Sequence, residues 1–378
     1  MSRNEPDTVL DDGTAEQPSS AAGRLRSLVR PFEGPHTVGN SPRFWAGFTV
    51  VYLLALAYPF VTNAYSVLIT TGFFIWIFLA LSLSVIWGFT GIFSFGQTAF
   101  FGLGGYVFGV VGINLIDVTG ATNLAVLAGI ALPAAFAAVL GYFMFYGRVS
   151  GVYVAIITLA TTLILELLFS RTAGQQYAIG EAPLGGYNGM TGIPSITLGF
   201  GSRTVAFAGL SMYYFVIVVL LILYLGLRYL VNSDYGHVMV ATREDETRTE
   251  MFGYDVRFVK LQVFTLSGGI GGLGGVLYAA HGNFISPPIM GLAFAALPVI
   301  WITVGGRTTL LGAIVGTFGL RYFDDYLANV GSEFSTIMMG LLLLVVVLFF
   351  PSGVVPTIRS GTQGGVDLPL PSRGGDDS

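Results

Sequence analysis

The chain has no cysteine, one lysine and three histidines, and charged residues make up only 10% of its 378 positions. Without cysteine there is no disulfide framework, no thiol nucleophile and no zinc–thiolate site. The histidines, His36, His237 and His281, lie far apart in sequence and form no HExxH or other clustered ligand set, so a membrane metalloprotease is excluded. The lone Lys260 stands between Val259 and Leu261, so the Gly-Lys-Ser/Thr of a phosphate-binding loop is missing and the chain cannot hold ATP by that motif. The net charge is −4 and no basic run is present, so nucleic acid is not an expected partner. A soluble domain carries about a quarter charged residues. Here 53% of residues are hydrophobic and the mean hydropathy is +0.74, which describes a chain whose solvent is mostly lipid.

Residues 1 to about 42 are rich in Asp, Glu, Ser, Gly and Pro and contain no sustained apolar run. Such a segment buries too little surface to offset the entropy of ordering, and it is expected to be a disordered acidic tail. It is not a secretory signal, because the first apolar stretch begins near Phe44 and no small-residue cleavage site follows it. Residues 352–378 read as a second disordered tail.

Between the tails lie apolar stretches near 44–60, 65–88, 97–116, 122–146, 150–169, 208–231, 258–280, 288–305, 308–329 and 334–350. Most approach the ~20 residues that cross ~30 Å of hydrocarbon as a helix. The Gly-rich stretch 97–116, and 308–329 with Arg321, Asp324 and Asp325, are the two that a re-entrant or broken helix would also fit. With ten spans and both ends in the cytoplasm, fourteen of the seventeen Lys and Arg residues fall on the inside. The sequence therefore predicts an all-α, polytopic bundle of about ten spans, occupying 43–351, in the cell membrane.

Two loops are long. The external one, about 170–207, is rich in Gly, Pro, Asn and Tyr. The internal one, 232–257, is the most charged part of the chain and is expected to carry one short helix from Ala241 to about Phe252. Its acidic and Arg residues stand at three- and four-residue spacing and can pair along a face. Two Gly-rich stretches, 88–112 and 267–282, sit in the two halves of the chain, which, if they are five-span repeats, have opposite orientations as in many transporters. Small-xxx-small spacing lets helices approach closely, and the same small residues leave room for a permeation path; both readings stand for Gly96, Gly102, Gly104, Gly105, Gly268, Gly272 and Gly275. Gln97 either lines such a path or packs with its amide satisfied. Glu166 either snorkels to headgroups or serves as an ion-coupling group, and Asp324 and Asp325 either pair locally with Arg321 or do the same.

The stretch WGFTGIFSFGQTAFFGLGGY resembles the N-terminal motif of the inner-membrane permeases of ABC importers for branched-chain amino acids and urea. GRVSGVYVAIITLATTLILELLF, NSDYGHVMVATREDETRTEMFGYDVRFVKLQVFTLSGGIGGLGGVLY, VIWITVGGRTTLLGAIVGTF and LFFPSGVV are similar to that family's later motifs, in the same order, over about 65–350. The resemblance implies the importer-permease fold, with no chemistry of its own and no cofactor, ATP being bound by two separate ATPase subunits. It also implies a second homologous permease subunit and an extracytoplasmic solute-binding protein as partners, besides membrane lipid. Within 232–257 it places the ATPase-coupling segment at Arg243, Glu244, Asp245, Glu246, Glu250 and Gly253. Gln97 with Gly96, Gly102, Gly272 and Gly275, and the corner Arg307–Thr308, are the implied translocation-path candidates. Tyr187 and Asn188 are candidates for the external loop's contact with the binding protein. VIWITVGGRTTLLGA resembles the urea form, so urea is the expected solute. A branched-chain amino acid is the alternative, and a carrier coupled to H⁺ or Na⁺ through Glu166 or Asp324 is the reading from another class.

Overall fold

The computed structural model describes residues 32–200 and 203–330, the positions 338, 340, 341, 344 and 348, and residues 353–357. Most of both expected tails, and all but isolated positions of the expected tenth span, lie outside the described residues.

Helix α1 (Pro42–Ala57) starts on Ser41, whose hydroxyl accepts the Phe44 N–H, with Pro42 in the first turn where its missing donor costs nothing. Helix α2 (Ala64–Leu83) is capped by the Asn63 side chain and runs into a π-helical turn, Ser84–Gly88. There follow α3 (Gln97–Thr119), ended by a left-handed Gly120, then α4 (Asn123–Tyr146), α5 (Val152–Ser170) and α6 (Leu210–Asn232). Two short helices, α7 (Asp234–Glu244) and α8 (Glu246–Met251), lead into the long α9 (Val256–Gly282). A pair, α10 (Leu292–Gly305) and α11 (Leu310–Val330), follows.

Among the described residues seven helices are long and apolar enough to cross a membrane: α1 to α6 and α9. The stretch 97–116 is one continuous helix. The stretches 288–305 and 308–329 are not two separate spans, because α10 and α11 meet at a bend of 114° and are long and apolar enough to cross only as a pair. At 14 residues, α10 is about 21 Å long, short of the ~30 Å of hydrocarbon. The described residues thus hold seven spans and one broken pair of the ten expected, and the expected tenth lies almost wholly outside them.

The chain is predominantly helical rather than all-α. The 170–207 loop contains the hairpins Ala178–Ile179 with Ala182–Pro183 and Ile196–Phe200 with Arg203–Phe207, and Met190–Thr191 pairs with Phe284–Ile285 beyond α9. Asn123 ties this layer to α4, its amide donating to the Gly199 carbonyl at 2.6 Å and accepting the Gly199 N–H at 3.2 Å. A loop that satisfies its own backbone groups in this way can lie over the helix ends without exposing them.

The core lies where α9 crosses α2, α3 and α4. The two Gly-rich stretches meet there. A Cβ on Gly272 would stand 2.6 Å from the Gly129 carbonyl oxygen, and one on Gly104 would stand 2.6 Å from the Gly272 Cα. In lipid, where apolar side chains gain nothing by leaving solvent, such backbone approach is a main source of helix association.

Candidate functional site

The 232–257 loop forms an elbow. Ser233 opens α7, its hydroxyl accepting the Gly236 N–H at 3.3 Å, and Asp234 sits in the first turn where the helix dipole favours it. The single helix expected from Ala241 is broken at Asp245, which is extended (φ −159°, ψ 104°) and caps α8 by accepting the Arg248 N–H at 3.0 Å. Asp competes with helix by this local bond, and the competition wins here. Glu244, Asp245, Glu246, Glu250 and the elbow's end at Gly253 are all exposed, and Arg248 pairs with Asp245 at 3.6 Å. Met251, Phe252 and Tyr254 are 82%, 77% and 51% exposed around Gly253, whose φ of +89° suits glycine.

Arg243 and Glu246 bind the elbow to the spans, besides the Tyr235 hydroxyl of α7, which donates to Gln262 Oε1 of α9 at 3.0 Å. Arg243 Nη1 donates to the Gly88 carbonyl at 2.6 Å, at the end of the π turn of α2, while its Nε and Nη2 hold Glu244. Gly91, at φ +75°, makes room for this side chain: a Cβ there would press within 3.0 Å of Arg243 Cγ. On the other side Glu246 Oε1 meets Lys260 Nζ at 2.5 Å, with Lys260 only 7% exposed near the start of α9. Arg148, Ser150, Glu250 and Arg257 surround this pair in a polar cleft. The sequence placed Glu246 in the elbow but did not foresee Lys260 as its partner; the only lysine of the chain, standing in an apolar helix, was the available signal.

Deep between the helices, the Gln97 amide lies against the hydroxyls of Ser82 (3.1 Å) and Ser267 (2.9 Å). Ser267 also donates to the Ser82 carbonyl at 2.8 Å, and Ser82 to Leu79 at 2.7 Å. Each hydroxyl has one proton, so both serines are satisfied together when the amide NH₂ faces them and donates. In either orientation one end of the amide is buried without a partner. The path candidates do not gather around it. Gly96 lies beside Thr158, Gly102 beside Met290, and Gly272 and Gly275 are filled by backbone packing. Arg307 and Thr308 are exposed at the α10–α11 bend, where the Arg307 guanidinium sits 5.6 Å from the Trp87 ring centroid. Thr309 shapes that corner by accepting the Gly312 N–H at 3.1 Å.

Arg321 pairs with Asp324 at 3.1 Å within α11 and lies over the rings of Trp76 (5.5 Å) and Phe73 (5.9 Å). The Glu166 carboxylate faces the Gly291 turn, where an added Cβ would come within 2.9 Å of it. Tyr187 and Asn188 are exposed on a 3₁₀ turn in the hairpin layer, remote in sequence from the elbow.

Residues 32–41, expected to be part of the tail, dock on the elbow end of α6. Arg228, fully buried, donates from Nε to Phe32 O (2.5 Å), from Nη1 to Val38 O (3.2 Å) and from Nη2 to Gly39 O (2.5 Å), and lies over the Phe44 and Trp45 rings. His36 packs edge-on to His237 of α7, ring centroids 4.9 Å apart. Burial first, then the charges of His237 and Arg243, hold His36 below the usual histidine range. A docked histidine that resists protonation makes docking weaker as pH falls: the contribution is complete above the free value near pH 6.5 and is lost as pH drops through the lowered one. A nitroxide on Pro35→Cys, unambiguous in a cysteine-free chain, should gain mobility between about pH 7.5 and about pH 5.5. His36→Phe should flatten that response. Equal mobility at both pH values in the label-only variant would contradict the assignment.

Comparison with known proteins gives a family match over residues 65–347, to the branched-chain amino acid transport system permease component. The chain is 29% identical over 357 residues to the high-affinity branched-chain amino acid transport system permease protein LivM of Escherichia coli (strain K12), covering 89% of this chain and 80% of that protein. It is 28% identical over 361 residues to LivM of Salmonella typhimurium, with 89% and 81% covered. A shorter stretch of 127 residues is 27% identical to the autoinducer 2 import system permease protein LsrC of Salmonella typhi, with 32% and 37% covered. No solved structure matches. The preference for urea gains no support from these relatives, and the amino-acid alternative fits them better. The VGGRTT segment that prompted urea is the α10–α11 corner, where Gly305, Gly306 and Gly312 pack closely.

Proposed function

Because the chain belongs to the branched-chain amino acid transport system permease family, we propose that it is the membrane-spanning permease subunit of an ATP-driven importer for branched-chain amino acids. It is a multi-pass protein of the inner membrane. ATP is hydrolysed by two separate subunits, a second homologous permease completes the pore, and a binding protein delivers the solute to the face formed by the 170–207 layer.

The observation that carries this reading is the elbow α7–α8. It presents an exposed apolar tip, Met251, Phe252 and Tyr254, ringed by Glu250, Asp245 and Arg248, while its inner face is fastened to α2 through Arg243 and to α9 through Glu246. A partner docked on the tip therefore pulls on two central helices. The ATPase shifts the permease between outward- and inward-facing states only if the docked elbow fits its ATP-bound and ATP-free forms unequally. The arginine bias supports a cytoplasmic position for this end, on the side of the ATPase subunits.

Uptake of labelled leucine and labelled urea, in cells with the chain deleted and restored, tests the proposal. Leucine uptake is expected to fall on deletion and return on restoration, with urea unchanged. Loss of urea uptake alone would return the solute to the urea branch, and leucine uptake indifferent to the chain would refute the amino-acid reading.

A further inference from the structure

An ion pair in the middle of a membrane protein is poor value for stability, since an apolar pair of the same volume does as well or better. Its presence at protein-facing positions points to a solute path. Arg321 and Asp324 are such a pair. Arg321 lies over Trp76, which stands twelve residues from either end of the Ala64–Gly88 span and hence near mid-depth. Around it four further rings converge from three helices: Phe101 of α3 stacked at 5.4 Å, Tyr278 of α9 at 5.3 Å, and Phe294 and Trp301 of α10 at 6.0 and 5.7 Å. Trp76, Phe101 and Trp301 are buried, whereas Tyr278 and Phe294 are only half-buried and present ring surface.

The guanidinium is incompletely used. Nη1 donates to Asp324, and Nε is buried with no partner among the described residues. Nε and Nη2 form the edge that takes a carboxylate through two parallel bonds. Asp324 is 42% exposed on its side chain, and Asp325, one residue on, accepts from the Asn329 amide at 3.3 Å. One unfilled cationic edge, a carboxylate beside it and an aromatic wall match three parts of one molecule.

We infer that Arg321, Asp324 and the Trp76–Tyr278–Phe294 rings form the mid-membrane binding site for the transported solute and recognise it as an α-amino acid zwitterion with an apolar side chain. Arg321 takes the carboxylate on its free edge, Asp324 takes the ammonium group, and the rings take the aliphatic chain. The resting ion pair neutralises the site when empty, and a zwitterion enters without changing its net charge, which keeps the electrostatic cost of crossing low. A neutral amide has no use for either charge. This inference deepens the proposed function and rests on it.

The test is labelled-leucine uptake by the complete importer, followed by leucine binding to the purified permease–ATPase complex without its binding protein. Arg321→Gln and Asp324→Asn are each expected to weaken leucine binding roughly ten- to hundredfold, the worth of a charge-assisted hydrogen bond, with Arg321→Lys between them and the native chain. Tyr322→Phe, on the exposed side of the same helix, is expected to bind as the native chain does. Co-purification with the ATPase subunits shows that each variant is assembled. If Arg321→Gln does not assemble, competition on the native complex decides: unlabelled leucine should displace the label, and leucinol and 4-methylpentanoate, each missing one charge, should not. Native uptake of leucine with unchanged binding by assembled Arg321→Gln, or equal displacement by leucinol, overturns the site while leaving the importer reading in place. No leucine uptake by the native importer overturns the importer reading instead.

Discussion

Replacing Gly275 with leucine is expected to abolish accumulation of folded protein. A Cβ at Gly275 would collide with the Phe101 carbonyl oxygen and stand 2.9 Å from the Gly105 nitrogen. Both obstacles are backbone atoms of α3, held by their own helical hydrogen bonds, so no side chain can swing aside. Overpacking a core ordinarily costs about 1–3 kcal/mol. Here even alanine is expected to reach about 3 kcal/mol, because the whole helix must shift, and leucine exceeds what a net stability of about 5–15 kcal/mol tolerates. Gly226 in α6 provides the contrast, since nothing among the described residues lies within 4 Å of its Cβ position. Gly226→Ala is expected to be neutral or to stabilise by about 0.5–1 kcal/mol, the helix preference of alanine over glycine. Yield of monodisperse protein and thermal unfolding in detergent check both. A Gly275→Leu chain that purifies and melts like the native one would show that α3 and α9 do not pack through their glycines.

Charge reversal at Glu246 is the second large effect. Glu246→Arg sets a second cation against Lys260, a repulsion of about 4 kcal/mol at 4 Å with an effective dielectric constant near 20. That figure is an upper bound in practice, because Glu246 is half-exposed and water and ions screen it. Helix α8 then loses its ion pair to α9, while in α7 Arg243 still holds α2 and the Tyr235 hydroxyl still reaches Gln262 of α9. Solute-stimulated ATPase activity is expected to vanish with membrane insertion intact. Gly253→Pro is expected to act the same way, since proline cannot take the φ of +89° found there. The double exchange Glu246→Lys with Lys260→Glu restores the pair with its poles swapped and should recover most of the stimulation. Stimulation that survives Glu246→Arg would sink the coupling role of this contact.

Much of this was legible in the sequence, and the parts that were not share a physical reason. Length and apolarity alone located α1 to α6 and α9 within a few residues, because lipid demands internally satisfied helices of fixed length. The bend between α10 and α11 was not legible: Gly305 and Gly306 permit a straight packing surface as readily as a break, and only the backbone contact with Gly312 and Gly316 distinguishes them. The charged elbow stood out, but the Asp245 cap that divides it rests on a single side-chain bond that a helix pattern with the same residues does not reveal. The docking of residues 32–41 was hidden more deeply. Their composition is that of a disordered tail, and order comes from Arg228, nearly two hundred residues away, supplying donors to three carbonyls. Gln97 and the glycines were recognisable as special, yet which backbone and side chains meet them depends on how four helices cross. Arg321 drew notice as a charge in a span, but the rings that give it meaning come from α2, α3, α9 and α10 and could not be assembled from spacing.

The most direct test of the account is reconstitution of the complete importer in proteoliposomes, with ATP inside the compartment that faces the elbow and the binding protein on the other face. Labelled leucine is expected to accumulate on the elbow side against its gradient, to require this chain, ATP and the binding protein together, and to be indifferent to an imposed proton or sodium gradient. Accumulation driven by either ion gradient without ATP would contradict the account and make the chain an ion-coupled carrier.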